Sequence, residues 1–144
     1  MRPLSYPGTN CFVVCFSLVD KQSFKNACSI WRNELDQLGP SRCPKLLCGL
    51  KSDLRDEFQN TNKTDLCVTT EEGNKARDEY NFQGYVECSA KTNFNLNKVF
   101  FTAQRIHFKL QEIATGDQEA EVASEENKDA IVQPEKKKKF CSVL

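Results

Sequence analysis

An α/β domain built on a parallel sheet is the fold class this sequence predicts, on three observations. Apolar runs of strand length (Cys11–Val19, Pro44–Gly49 and Tyr85–Cys88) alternate with polar stretches of helical period. The first of them carries no inside/outside alternation, as expected of a strand buried on both faces. Each run is followed by a helix signal, and a strand–helix alternation of this kind closes by right-handed crossovers into a parallel sheet. The expectation is three parallel strands alternating with three helices.

Taken in order, Cys11–Val19 reads Cys-Phe-Val-Val-Cys-Phe-Ser-Leu-Val. Asp20 can cap the helix that follows. Phe24, Ala27, Trp31, Leu35 and Leu38 then share one face at three- and four-residue spacing, and Gly39-Pro40 ends the pattern. Pro44–Gly49 is the second strand. Glu57–Leu66 is polar and unpatterned, which predicts a loop with at most one helical turn. Thr69 and Glu72 form a capping box that opens a helix running to about Tyr80. Tyr85–Cys88 is the third strand. Leu96, Val99, Phe100, Ala103, Ile106, Leu110 and Ile113 predict an amphipathic last helix.

A chain of 144 residues holds one modest domain and a tail. The domain is read over residues 1–114, and residues 115–144 as a disordered acidic linker ending in a basic cluster. Thr115–Glu135 carries seven acids against Lys128 alone, and Lys136, Lys137, Lys138 and Lys139 follow. Such a stretch is a solvated linker leading to an interaction tail. Overall, 20 acids balance 20 bases, which gives no reason to expect nucleic acid as a partner.

The eight cysteines contain no Cys-x-x-Cys pair, and His107 is the single histidine. Metal-ligand spacing is absent, so no metal site is expected and the thiols read as small hydrophobes. No apolar run reaches the ~20 residues that a membrane-spanning helix needs. His107 lies in the apolar stripe of the last helix and reads as a packed residue. Phe94, Phe101 and Phe108 form a second stripe, read as a face for a partner or bilayer, as extra packing or as surface scatter.

Two loops carry the chemistry. Gly49-Leu50-Lys51-Ser52-Asp53-Leu54-Arg55 follows one strand, and Glu87-Cys88-Ser89-Ala90-Lys91 follows the next. Ligands of an open α/β sheet lie outside the carboxyl ends of its strands, so both loops face one site. A carboxylate there suits guanine, whose ring N1–H and exocyclic amine offer two adjacent donors. Lys51 can lay its stem over the base, and the Ala90 backbone N–H can donate to the ring oxygen.

This Lys-x-Asp-Leu-Arg with Glu-Cys-Ser-Ala-Lys resembles the guanine-specificity loops of the Ras superfamily. Arg2-Pro3-Leu4-Ser5-Tyr6-Pro7 with Cys15-Phe16-Ser17-Leu18-Val19, and the 36-residue spacing from Asp53 to Ser89, resemble its Rho/Rac branch. The resemblance implies a partial P-loop NTPase (Ras-like) fold. It also implies a guanine site of Lys51, Asp53, Ser89, Ala90 and Lys91, with GTP or GDP as ligand and Mg²⁺ in the intact family. Signalling partners would be exchange factors, GTPase-activating proteins, a dissociation inhibitor and effectors. Where the family carries Asn or Thr, this sequence has Leu50, which cannot hydrogen-bond. No glycine is followed by Lys-Ser or Lys-Thr, so the phosphate-binding Gly-x-x-x-x-Gly-Lys-Ser or -Thr is missing. The resemblance implies that Met1 falls inside the second switch, that nucleotide binding is weak or absent, and that no catalytic residue can be assigned. Alternatives are a non-catalytic, membrane-tethered binding module or a shortened reading of a longer gene.

The last four residues, Cys141-Ser142-Val143-Leu144, form a C-a-a-X ending, and a terminal leucine favours a geranylgeranyl group. Lys136–Lys139 supply the second, electrostatic signal that stable anchoring requires. The expectation is lipidation of Cys141 with trimming and methylation, at the cytoplasmic face of the plasma or another membrane, beside a cytosolic pool. A last expectation concerns the first strand. Uncharged and free of proline, Cys11–Val19 would be an exposed apolar sheet edge prone to aggregation.

Overall fold

A computed structural model describes residues 1–60, 64–115 and 140–143. After a 3₁₀ turn (Arg2–Ser5) the chain enters β1 (Cys11–Ser17). A helical run follows, made of α1 (Lys21–Asn26), a π-helical turn (Ala27–Trp31) and α2 (Arg32–Leu38). β2 (Lys45–Leu50), α3 (Ser52–Asn60), a 3₁₀ turn (Thr64–Leu66), α4 (Thr70–Glu79), β3 (Gly84–Glu87) and α5 (Leu96–Thr115) come next, and β4 (Phe140–Val143) is last. The strands lie in the order β3-β2-β1-β4, and every pairing is parallel. The mixed α/β fold with its three parallel strands is as the residue pattern predicts.

Burial on both faces explains why β1 shows no alternation. Phe12, Val14 and Phe16 pack with Tyr6, Leu18, Ala27, Leu35, Val68 and Ala76 on one side of the sheet. Cys11, Val13 and Cys15 pack with Leu46, Cys48, Val86, Val99 and Ala103 on the other. Successive side chains of a strand point to opposite faces, so a helix layer on each side makes every position apolar. Cys28 and Cys43 fill the first of these layers, and Cys11, Cys15, Cys48 and Cys88 fill the second. Burial raises the Cys11 thiol to about 12 and the Cys28 thiol to about 11, which keeps both neutral.

The cap signals hold in detail. Asp20 accepts from the backbone N–H groups of Gln22 and Ser23 at 2.9 and 3.1 Å. The capping box closes both ways, Glu72 N–H to Thr69 Oγ1 at 3.1 Å and Thr69 N–H to Glu72 Oε2 at 2.8 Å. Gly39 follows α2, where the Gly39-Pro40 signal places the helix end, and its lack of a side chain is what the position requires. Its φ is −80°, and a Cβ there would lie 2.5 Å from the Leu35 carbonyl oxygen. Gly73, within α4, lets the Tyr85 ring lie against the helix backbone, because a Cβ would sit 2.2 Å from that ring.

Four features depart from the sequence reading. Glu57–Asn60 continue α3 instead of forming a loop. Asp53, Asp56 and Glu57 near its start favour the positive end of the helix dipole, and periodicity alone does not register that. The π-helical turn adds a residue to one turn of the first helical run. The face is thereby rotated, and Leu38 ends 54% exposed. On α5 the apolar contact with the sheet is made by Leu96, Val99, Ala103 and Ile106, while Phe100 and Ile113 are exposed. Phe94, Phe101 and Phe108 are exposed as well. His107 is half-buried, with its Nε2 3.1 Å from Asn10 Nδ2.

The fourth departure lies at the sheet edge. The acidic linker and Lys136–Lys139 lie outside the described residues, but Phe140–Val143 pairs with Cys11–Val14 as β4. The expected bare edge of β1 is thus covered over that stretch by the chain's own end. An apolar strand with unmet backbone groups is a template for any segment of low charge and high β-propensity, and Phe-Cys-Ser-Val is one.

Candidate functional site

Both loops singled out from sequence emerge at the carboxyl ends of adjacent parallel strands, β2 and β3, and the backbone ties them together. Cys88 N–H donates to the Gly49 carbonyl at 2.8 Å, and Ser52 N–H donates to the Cys88 carbonyl at 3.2 Å. Between these, Lys51 adopts a left-handed conformation with φ +64°. For a residue with a Cβ this costs roughly 1–2 kcal/mol. The reward is geometric. The Lys51 carbonyl turns to accept from Leu54 and Arg55 at 3.1 and 3.3 Å, which starts α3, while the Lys51 side chain stays exposed.

Asp53 stands in the first turn of α3, and its side chain is 11% exposed. Its Oδ1 accepts a 2.5 Å hydrogen bond from Ser89 Oγ. Ser89 is fully buried and is itself fixed, since its N–H donates to the Phe94 carbonyl at 3.0 Å and its Oγ accepts from Thr92 N–H at 3.3 Å. Lys91 Nζ lies 4.0 Å from Asp53 Oδ2 and 3.3 Å from Glu57 Oε1. Ala90 follows in the exposed turn. The structure therefore brings Lys51, Asp53, Ser89, Ala90 and Lys91 into one place. The serine sets the carboxylate's rotamer, and Oδ2 is directed away from that bond. Leu50, whose position drew attention for lacking a polar group, packs against the apolar layer under α5.

Sequence reading missed what holds the two loops in register. Arg55, two residues after Asp53, makes a two-pronged ion pair with Glu87, two residues before Ser89, at 2.8 and 2.5 Å. Both side chains are mostly buried, at 12% and 13% exposure. Glu87 also accepts from Tyr85 Oη at 2.7 Å and Thr70 Oγ1 at 3.0 Å. An acid and a base 32 positions apart give no local signal, and only the Leu-Arg that follows Asp53 hinted at Arg55.

Burial alone would raise the Glu87 carboxyl, but the bonds from Arg55, Tyr85 and Thr70 outweigh it and hold the group below its ordinary 4.5. A depressed carboxyl stabilises the fold fully above its unfolded value and loses that contribution as pH falls through the lower native value. Stability is thus expected to decline below about pH 4.5. Urea midpoints of the parent should fall between pH 5 and pH 3 more steeply than those of Glu87→Gln. Parallel pH profiles would contradict the assignment.

Residues 1–109 match the sequence model of the Ras family. The Ras-like GTP-binding protein RhoL of Drosophila melanogaster is 45% identical over 105 residues, covering 73% of this chain and 52% of that protein. The chain spans about half the length of the curated relative it matches.

Proposed function

As the chain belongs to the Ras family of small GTPases, we propose that it carries the guanine-reading half of a Rho-type nucleotide switch, together with a lipid-attachment site at Cys141. The observation that carries the first part is Asp53, fixed by Ser89 at 2.5 Å at the mouth of two strand-end loops. A carboxylate held this way presents acceptors to the guanine N1–H and exocyclic amine, a donor pair that adenine lacks. Lys51 flanks the base with its methylene stem, and the Ala90 turn faces the ring oxygen.

The residues present fit the base of GTP or GDP. The phosphates and the Mg²⁺ they carry would be held by a glycine loop ending in Lys-Ser or Lys-Thr, and no such loop occurs in the sequence. No hydrolytic step follows from these side chains. The Arg2–Pro7 segment and the 45% identity to RhoL support the Rho branch. Exchange factors, activating proteins, a dissociation inhibitor and effectors are the partners this reading brings, and a role in signal transduction at the cytoplasmic face of a membrane is part of it. The C-a-a-X ending and the four lysines before it support prenylation and membrane attachment.

Calorimetry with GDP and ADP tests the base reading. GDP is expected to bind in preference to ADP. Asp53→Asn should weaken GDP by about 100-fold, since it replaces charge-assisted bonds with weaker neutral ones. Equal binding of the two nucleotides, or an unchanged GDP affinity in Asp53→Asn, would overturn the proposal.

A further inference from the structure

We propose that Cys48 and Cys88 form a redox-closable pair at the root of the guanine loops: hydrogen peroxide joins them in a disulfide, and that bond displaces Ser89 from Asp53. The second half rests on the reading of Asp53 as the guanine acceptor.

A row of three thiols crosses the sheet on its α5 side. Cys15 and Cys48 stand opposite one another on β1 and β2, and Cys48 Sγ lies 3.8 Å from Cys88 Sγ. All three are free thiols in the same apolar layer. Directly opposed residues of neighbouring strands keep the ~4.8 Å spacing of the sheet, whereas a disulfide sets its Cβ atoms about 3.8 Å apart. Bonding Cys15 to Cys48 would therefore pull two paired strands together. Cys88 stands one residue beyond the end of β3, so there a loop yields in place of a strand. Cys88 is buried, but the exposed turn at Ala90 begins two residues on, within reach of a small oxidant.

The contact gives the two thiols different roles. Cys48 touches Cys15 and Cys88 and is buried, all of which raise its thiol and hold its proton in place. Its hydrogen bond onto Cys88 lowers that second thiol, against the effect of burial, and the thiolate is the nucleophilic form. The Cys88 thiolate, its proton lost to solvent, attacks hydrogen peroxide. An S–O bond forms, the O–O bond breaks, hydroxide leaves and Cys88 becomes a sulfenic acid. Cys48 gives its proton to that hydroxide and attacks the Cys88 sulfur. The S–S bond forms, the S–O bond breaks, and the second hydroxide takes up the proton Cys88 had lost. Two thiols are oxidised by two electrons, and one peroxide is reduced to two waters.

Cys88 is also where the loops are tied, through its N–H to the Gly49 carbonyl and its own carbonyl to Ser52 N–H. Its neighbour Ser89 holds Asp53 at 2.5 Å. A disulfide is about 2.05 Å long, so closing the pair draws Cys88 toward β2 and carries Ser89 with it. Hydrogen bonds weaken steeply as their geometry is lost. The oxidised chain therefore has a guanine acceptor without its brace.

The test uses the full chain carrying Cys141→Ser, which removes the tail thiol. It is treated with a stoichiometric amount of hydrogen peroxide, and the remaining thiols are alkylated in denaturant. Tryptic digestion without reductant should then yield Leu46–Lys51 joined to Asp78–Lys91, each of which holds a single cysteine. Calorimetry should show GDP affinity at least tenfold lower in the oxidised chain, recovered with dithiothreitol. Cys48→Val, which leaves Cys88 without donor or partner, should bind GDP as the reduced parent does, before and after peroxide. Should that variant not fold, the dithiothreitol reversal in the parent carries the comparison. Cys48 and Cys88 alkylated in separate peptides, or Cys48 joined to Cys15, would overturn the pair. A linked pair with unchanged GDP affinity would overturn its effect on the site. If the reduced chain binds no GDP, the guanine reading fails, and the linked peptides alone decide whether the pair closes.

Discussion

Arg55→Ala is expected to destabilise the domain by about 3–5 kcal/mol, because it leaves a mostly buried carboxylate without its counter-charge. Glu87 has little water to fall back on, and the hydroxyls of Tyr85 and Thr70 are neutral donors that cannot replace a guanidinium. Against a typical total of about 5–15 kcal/mol, the loss moves a well-folded population to a marginal one. Arg55→Lys should recover little, since an ammonium is a single point of charge and the pair uses two parallel N–H bonds. By contrast, Arg55→Met combined with Glu87→Leu should be far milder than either charge deletion alone, because paired replacement by apolar groups of like volume strands no charge. Denaturant midpoints of the parent, the single variants and the double variant check all three expectations. A loss below about 1 kcal/mol in Arg55→Ala would place the pair among weak surface bridges. The same pair links the segment bearing Asp53 to the segment bearing Ser89. GDP affinity should therefore drop in Arg55→Ala under conditions where the variant is still folded.

What the sequence made legible follows from the range of the forces involved. β1 and the centre of β2 were readable because burial on both faces leaves an unbroken apolar run, whereas β3, with Glu87 inside it, was readable from its place between two helix signals. α1, α4 and α5 were readable because caps and periodicity act within a few residues. Lys51, Asp53 and Ser89 could be singled out because strand-end loops of a parallel sheet converge. The 2.5 Å bond between Ser89 and Asp53 depends on tertiary structure, but the rule that places the two loops side by side is general. The features that escaped depend on partners far apart in the chain or on small changes of phase. Arg55 and Glu87 look like two ordinary surface charges until α3 and β3 are set side by side. The π-helical turn at Ala27–Trp31 leaves no compositional trace, yet it decides that Leu35 is buried and Leu38 is not. Phe100 and Ile113 carry the right period, but period says nothing of how much sheet lies beneath a helix. The pairing of Phe140–Val143 was hidden for a further reason: a four-residue strand depends on the edge it meets, and its own propensity is slight.

With Cys141 lipidated as proposed, replacing Lys136, Lys137, Lys138 and Lys139 by alanine is expected to weaken binding to anionic vesicles by about 10³-fold. Each lysine near an anionic leaflet contributes about 1 kcal/mol, so four supply roughly 4 kcal/mol. A single acyl or isoprenoid chain holds a protein only marginally and reversibly, so the two signals are needed together. Vesicle sedimentation separates them. On vesicles with a fifth to a third of phosphatidylserine, the alanine variant should be largely soluble at lipid concentrations that hold the parent. On purely zwitterionic vesicles, parent and variant should behave alike, because the charge has nothing to meet. Raising the salt toward 1 M shrinks the screening length to about 3 Å and should erase the difference on anionic vesicles as well. Cys141→Ser, with all four lysines kept, should remain soluble on both, since the attraction of the lysines alone has no apolar chain to hold the contact. A parent that binds neutral and anionic vesicles equally would remove the lysines from the argument. A Cys141→Ser protein that binds like the parent would remove the lipid.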